Sequence, residues 1–275
     1  MKAIFLLCVS LASSLLLSGV SSTANAQQLN LSQSINQAGL QRMLSQRMAK
    51  NYILLSQEID IQAAADELDE SSALFEENLF KLNTSIGDTD SKLALKKLKQ
   101  SWYGFRQFVL NDANKKQTAQ VVDRSTLLLK SAHALVLSLE RSSRAQSDHL
   151  INVSGRQRML SQRLAMLYYA SHSGMQEKKF QQEMHKTSRQ FGQALTKLMA
   201  AKENNTEINE ALEEVNNQWS FYKTKFNGSN KGRFSPKTIK VVSESLLKEM
   251  NNITKLYEVE SMAQAKYSTW IKPAN

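Results

Sequence analysis

The chain has 275 residues, with 35 Lys and Arg against 25 Asp and Glu, for a formal net charge of +10. It has one cysteine, Cys8, and only 9 glycines and 2 prolines. A lone thiol excludes an intrachain disulfide framework and a cysteine-based metal site. The cations are spread along the chain and interleaved with Glu and Asp, so the charge reads as solvated helix faces with a general pull on small anions, and not as a nucleic-acid surface.

Residues 1–26 read as a secretory signal peptide. Lys2 gives a positive start, Ala3 to Val20 is apolar, and Ala24-Asn25-Ala26 is an A-x-A cleavage site before Gln27. Cleavage there would remove Cys8. No second apolar run approaches the roughly 18 residues that a membrane span needs. The expected location is therefore the periplasm or the cell exterior, with no membrane span after cleavage.

Helix-favouring Ala, Leu, Gln, Lys, Glu and Met dominate, and an all-α chain is predicted. Breakers divide it. Helices are expected over 32–57, 59–82, 91–110 and 116–146, with a loop over 83–90. A second set is expected from Asp148 to 173, over 175–202, from Thr206 to Phe226, and from Pro236, a good first-turn residue, to Trp270. The fourth and fifth helices could run on as one, stacking two bundles end to end. A turn near Ser147-Asp148 would lay them side by side, and this is the reading preferred, since Asp148 and Ser32 hold equivalent places and both residue types cap helices.

The two halves are copies. INQAGLQRMLSQRMA, from Ile35, returns as INVSGRQRMLSQRLA, from Ile151, displaced by 116 residues. Phe75, Leu79 and Leu82 match Phe191, Leu195 and Leu198 at the same spacing. Trp102 and Phe105 match Trp219 and Tyr222, and Val121-Val122 matches Val241-Val242, with small loop drift. These aromatic and aliphatic positions are expected in the core. The organisation predicted is residues 27–147 as one repeat and 148–275 as the other, two tandem four-helix up-down bundles forming a pseudo-dimer.

The repeated helix is apolar on more than one side. At about 100° per residue, Leu40, Leu44, Met48 and Leu55 form a core stripe, and Ala38, Arg42, Ser45, Ala49 and Ile53 form a second face whose one charge is Arg42. Met43, Arg47, Lys50 and Leu54 form a third face of mixed polarity. A buried arginine needs a counter-charge or acceptors, and the motif has no Asp or Glu. If the fifth helix packs on the same face, Arg158 arrives too, and an anion would relieve the repulsion; a guanidinium fork suits a planar oxyanion. Pairing with acids on other helices, such as Glu76 or Glu140, is the alternative.

The residues Ile35, Asn36, Ala38, Gly39, Arg42, Met43, Ser45 and Arg47, with Ile151, Asn152, Gly155, Arg158, Met159, Ser161 and Arg163, carry a resemblance. The motif resembles the P-box of the periplasmic sensor domains of nitrate/nitrite-responsive, NarX-like histidine kinases. It also resembles the PilJ-type domain, the N-terminal ligand-binding domain of type IV pili methyl-accepting chemotaxis transducers. The resemblance implies a four-helix bundle that dimerises through its first helices and holds nitrate on the two-fold axis. It implies Arg42 and Arg158 as ligands, close backbone approach at Gly39 and Gly155, and Ser45, Ser161, Arg47 and Arg163 in support. With both boxes in one polypeptide, the family dimer would be built internally.

The function expected is a soluble ligand-binding or sensor protein for a small anion, nitrate or nitrite, serving a membrane sensor or transducer in signal transduction or chemotaxis. The competing reading is an envelope interaction protein that docks on a transducer or pilus component without a ligand. An enzyme is the weakest reading. His133, His149, His172 and His185 show no metal-ligand spacing, His133 reads as a packing residue, and no phosphate loop or nucleophile elbow occurs. No metal, cofactor or nucleic-acid partner is expected.

Overall fold

The computed structural model describes residues 28–143, 145–226 and 235–270. The predicted signal peptide lies outside the described residues, as does most of the loop expected between the seventh and eighth helices. In chain order the elements are α1 (Leu31–Ser56), α2 (Ile61–Ser85), α3 (Thr89–Val109), a 3-10 turn (Lys115–Gln117), α4 (Thr118–Arg141), α5 (Gln146–Ser171), α6 (Glu177–Met199), α7 (Thr206–Phe226) and α8 (Pro236–Trp270). The all-α class holds, and there is no strand among the described residues.

Each half folds back on itself. α1 packs on α2 and α4, and α3 on α4; likewise α5 packs on α6 and α8, and α7 on α6 and α8. The two bundles then join side by side along α1 and α5, with α8 also touching α1 and α4 touching α5. One continuous apolar core results. Phe75, Leu82, Phe191, Leu195, Leu198, Trp102, Phe105 and Trp219 are buried in it, and Tyr222 packs at its edge. The two tryptophans pack on the matched phenylalanines, Trp102 stacked on Phe75 at 4.3 Å and Trp219 tilted against Phe191 at 4.5 Å between centroids.

The chain turns between the end of α4 at Arg141 and the start of α5 at Gln146, slightly earlier than Ser147-Asp148. Neither Ser32 nor Asp148 is a cap. Asn30 caps α1, in a capping box with Gln33, and Asp148 sits in the first turn of α5. Its buried carboxylate accepts hydroxyls from Ser32 (2.6 Å), Ser261 (2.8 Å) and Ser143 (2.5 Å), tying together α1, α5, α8 and the turn. The expected loop over 83–90 is also shorter. α2 continues to Ser85, whose hydroxyl accepts the Leu29 N–H at 2.9 Å, and Asp88 caps α3 through the Ser91 N–H at 2.8 Å.

The duplication extends to backbone conformation. The turn after α1 places Glu58 and Asp60 at positive φ, and the turn after α5 does the same with Gly174 and Gln176. Glycine carries no Cβ penalty there, so only the second copy uses the favoured residue. Gln41 Nε2 donates to the Phe75 carbonyl and Gln157 Nε2 to the Phe191 carbonyl, both at 2.9 Å. Gln46 Nε2 donates to the Ser125 carbonyl (3.2 Å) and Gln162 Nε2 to that of Ser243 (3.4 Å). The last pair sets α4 against α8 and corrects the expected match of Val121-Val122 with Val241-Val242. Val121 is buried and corresponds to Ile239, whereas Val241 is exposed.

Candidate functional site

Beyond the exposed Gln146 and His149 at the start of α5, α1 and α5 are buried or half-buried on all sides, because each faces its own bundle and the other's central helix. The face expected to be of mixed polarity is therefore interior too: Lys50 is fully buried. It is neutralised by Glu67 at 3.1 Å and Glu244 at 2.7 Å.

Arg42 and Arg158 meet at the middle of this seam, each 1% exposed. A Cβ placed on Gly39 would lie 3.3 Å from Arg42 Nη2 and 3.4 Å from Arg158 Nη2. One placed on Gly155 would lie 3.1 Å from Arg158 Nη2 and 3.5 Å from Arg42 Nη2. Both guanidiniums thus lie against both glycines, and the small residues leave the room that the arginine tips occupy.

The arginines are held crosswise. Arg42 Nη1 donates to Asn152 Oδ1 at 2.7 Å and Nη2 to the Asn152 carbonyl at 3.1 Å. Arg158 Nη2 donates to Asn36 Oδ1 at 2.7 Å and to the Asn36 carbonyl at 3.3 Å, while its Nη1 donates to Asn251 Oδ1 at 2.9 Å. The asparagines lean in turn on carboxylates: Asn152 Nδ2 on Glu140 (2.6 Å) and Asn36 Nδ2 on Glu258 (2.5 Å). Each acid thus stands one amide away from its arginine. Among the described residues neither Arg42 nor Arg158 forms an ion pair, and the Nε of each has no hydrogen-bond partner. Of the acids considered from sequence, Glu140 acts only through Asn152, and Glu76 pairs with Arg106 at 2.8 Å.

Burial, then the charges of Arg158 and Arg156, lower the Arg42 guanidinium to about 9, with Glu140 opposing. Burial lowers Arg158 to about 10 against the pull of Glu258. Both stay cationic at neutral pH. Two buried positive charges thus share one place with neutral first contacts, a costly arrangement for protein alone and a favourable one for an anion.

The other expected site residues are placed differently. The Ser45 and Ser161 hydroxyls donate to their own helix, to the carbonyls of Arg42 (2.7 Å) and Arg158 (2.8 Å). Arg47 reaches Glu244 at 3.2 Å and Glu67 at 3.5 Å. Arg163 reaches Gln46 Oε1 at 2.8 Å, Thr126 at 3.3 Å and Glu183 at 3.5 Å. These two arginines stand on opposite flanks of the seam, away from its centre. Sequence reasoning missed the Asn36–Asn152 exchange as a holding device, although both residues lie in the motif. It read His133 as packing, whereas His133 Nδ1 lies 3.4 Å from Arg42 Nη1. No three-membered group of His, Cys, Asp or Glu able to hold a metal occurs among the described residues.

Eight α-helices among the described residues, in two copies with one buried arginine from each at the shared seam, define a tandem helical bundle. The family model for the type IV pili methyl-accepting chemotaxis transducer N-terminal domain, PilJ, matches residues 23–135 and again residues 141–233. The chain belongs to this family, with the domain present in two tandem segments, and is a sensory, transducer-related protein. Comparison with curated proteins and with solved structures gave no match. No described helix is long and apolar enough to cross a membrane.

Proposed function

We propose that the chain binds a small oxyanion, nitrate or nitrite, between Arg42 and Arg158 in the periplasm or outside the cell, and presents the bound state to a membrane sensor or transducer. The observation that carries this reading is the pair of fully buried guanidiniums with no carboxylate on either. Neutral asparagines fix the orientation of the arginines without cancelling their charge, and the unpartnered Nε groups leave donors to spare. A planar anion accepts two parallel N–H bonds from one guanidinium fork, and close approach at Gly39 and Gly155 keeps the centre narrow. The choice of nitrate or nitrite rests on the motif's resemblance, and the signalling role on the family. Residues 27–147 and 148–275 serve in this reading as the two halves of one receptor.

Isothermal calorimetry of the purified chain with nitrate and nitrite tests it. Binding at one site per chain is expected, lost in both Arg42→Met and Arg158→Met, with folding verified by circular dichroism. Parental affinity in both variants would remove these arginines from the site. If no oxyanion binds the parent and crosslinking instead recovers a transducer or pilus component, the chain is an envelope interaction protein.

A further inference from the structure

Beside the axis, α4, α5 and α6 line a half-open cavity of about 280 Å³. That is below the range of roughly 300–1,000 Å³ usual for drug-sized ligands, so it suits a smaller molecule. Its inner end is Arg42; Lys130, Arg156, Arg163 and Lys186 supply further cations, and Glu183 is the one carboxylate in the lining. Arg163 takes that carboxylate at 3.5 Å, while Lys130, Arg156 and Lys186 form no ion pair among the described residues. Leu129, Met159 and Leu160 give the cavity an apolar wall.

The duplication supplies an internal comparison, since the same seam recurs between α8, α1 and α2. The matched glutamine bonds described above align the copies and place Leu40 where Arg156 stands, Glu70 where Lys186 stands and Glu244 where Thr126 stands. On that second flank Glu244 enters the seam as an acceptor. It receives Lys50 at 2.7 Å, Gln162 at 3.2 Å and Arg47 at 3.2 Å. The first flank has Thr126 at this place, with Arg156 and Lys186 where the second has Leu40 and Glu70.

We infer that the α4–α5–α6 cavity is a second anion site, distinct from the axis, that takes a small organic di- or tricarboxylate. The ligand's carboxylates would pair with Lys130, Arg156 and Lys186, which no protein carboxylate takes among the described residues, and the apolar wall fits the carbon skeleton between them. Arg42 borders both sites, and its Nε, without a partner, is an available donor.

Citrate and succinate are the probes, with inorganic phosphate and nitrate for comparison, titrated calorimetrically into the purified chain. The test variant, Arg156→Leu with Lys186→Glu, imports the second flank's own residues at half-buried and exposed positions, and its melting temperature verifies folding. The double variant is expected to bind citrate or succinate at least about tenfold more weakly, while nitrate still binds at one site per chain, because neither residue hydrogen-bonds Arg42, Arg158, Asn36 or Asn152. Parental carboxylate affinity in that variant overturns the inference, as does failure of both carboxylates to bind the parent. Phosphate binding without carboxylate binding overturns the ligand class. Failure of nitrate to bind the parent, with citrate bound there, counts against the axial proposal and not against this one.

Discussion

Arg42 of the first bundle is held by Asn152 of the second, Nη1 to Oδ1 at 2.7 Å. Arg158 and Asn36 repeat the contact in reverse at 2.7 Å. Each half therefore orients the other half's charged group, and the acceptor in both cases is an amide that leaves the positive charge intact.

Replacing that amide tests its role. Asn152→Ala removes two partners at once, the Arg42 fork and the Glu140 carboxylate. A loss of about 1–3 kcal/mol in urea unfolding is expected, the usual cost of leaving buried polar groups unsatisfied. Asn152→Asp puts a carboxylate on Arg42 and is expected to abolish nitrate binding while the helical spectrum is retained. Undiminished nitrate affinity in Asn152→Asp would show that the charge of Arg42 is not used.

The glycines give a prediction with a built-in control. Alanine normally gains about 0.5–1 kcal/mol over glycine inside a helix. At Gly155 the new Cβ would lie 3.1 Å from Arg158 Nη2, so Gly155→Ala is expected to destabilise by about 1–3 kcal/mol through overpacking. Gly104→Ala in α3 meets nothing within 4 Å and is expected to stabilise. Chemical denaturation of both variants decides; gains of equal size would mean that the seam has slack.

Lys50 is the third target. Lys50→Met leaves Glu67 and Glu244 without their buried partner, and a loss of about 3 kcal/mol is expected. Adding Glu244→Thr makes this flank resemble the other, which has Met166 and Thr126, and should recover most of the loss. Additive losses in the double variant would show that Lys50 and Glu244 are not coupled. Glu67 is raised by burial but held below its ordinary value by Lys50 and Arg47. Its share of the stability is therefore complete above about pH 4.3 and is lost as pH falls through the lowered value.

His133 gives a pH signature. Burial, then Arg42 and Arg156, push the imidazole below its usual value, against the pull of Glu140; Lys130 of α4 and Lys186 of α6 line the same cavity. The unfolded chain accordingly takes up a proton here before the folded one does. The free protein should lose stability as pH falls below about 6.5, and a bound anion should offset the loss. Melting temperature against pH, with and without citrate, measures this, and His133→Gln should flatten the difference.

The fold was legible in the sequence because two copies of one pattern constrain each other. The helices around Arg42 and Arg158 were placed to within a few residues, and the shared seam followed from small residues beside arginine. What remained hidden depends on contacts between distant segments. A periodicity cannot show that Asn152 reaches Arg42 across 110 residues, or that the third face of α1 is covered by α2 and α8, which buries Lys50. The caps were misjudged at Ser32 and Asp148 because a cap needs only local chemistry, whereas these two side chains are spent on each other. The match between Val121 and Val241 failed because identical residue types in helices of different phase outweighed burial.

The α1–α5 seam lies within one polypeptide, and under the function proposed above this alters how a receptor would respond. A site shared by separate protomers fills according to subunit concentration as well as ligand concentration. Here the second arginine is delivered by the covalent chain itself, so occupancy should report the ligand alone, however few copies are present. The two flanks are equally released from having to match, which leaves one free to supply its own counter-charge and the other to remain open to a guest.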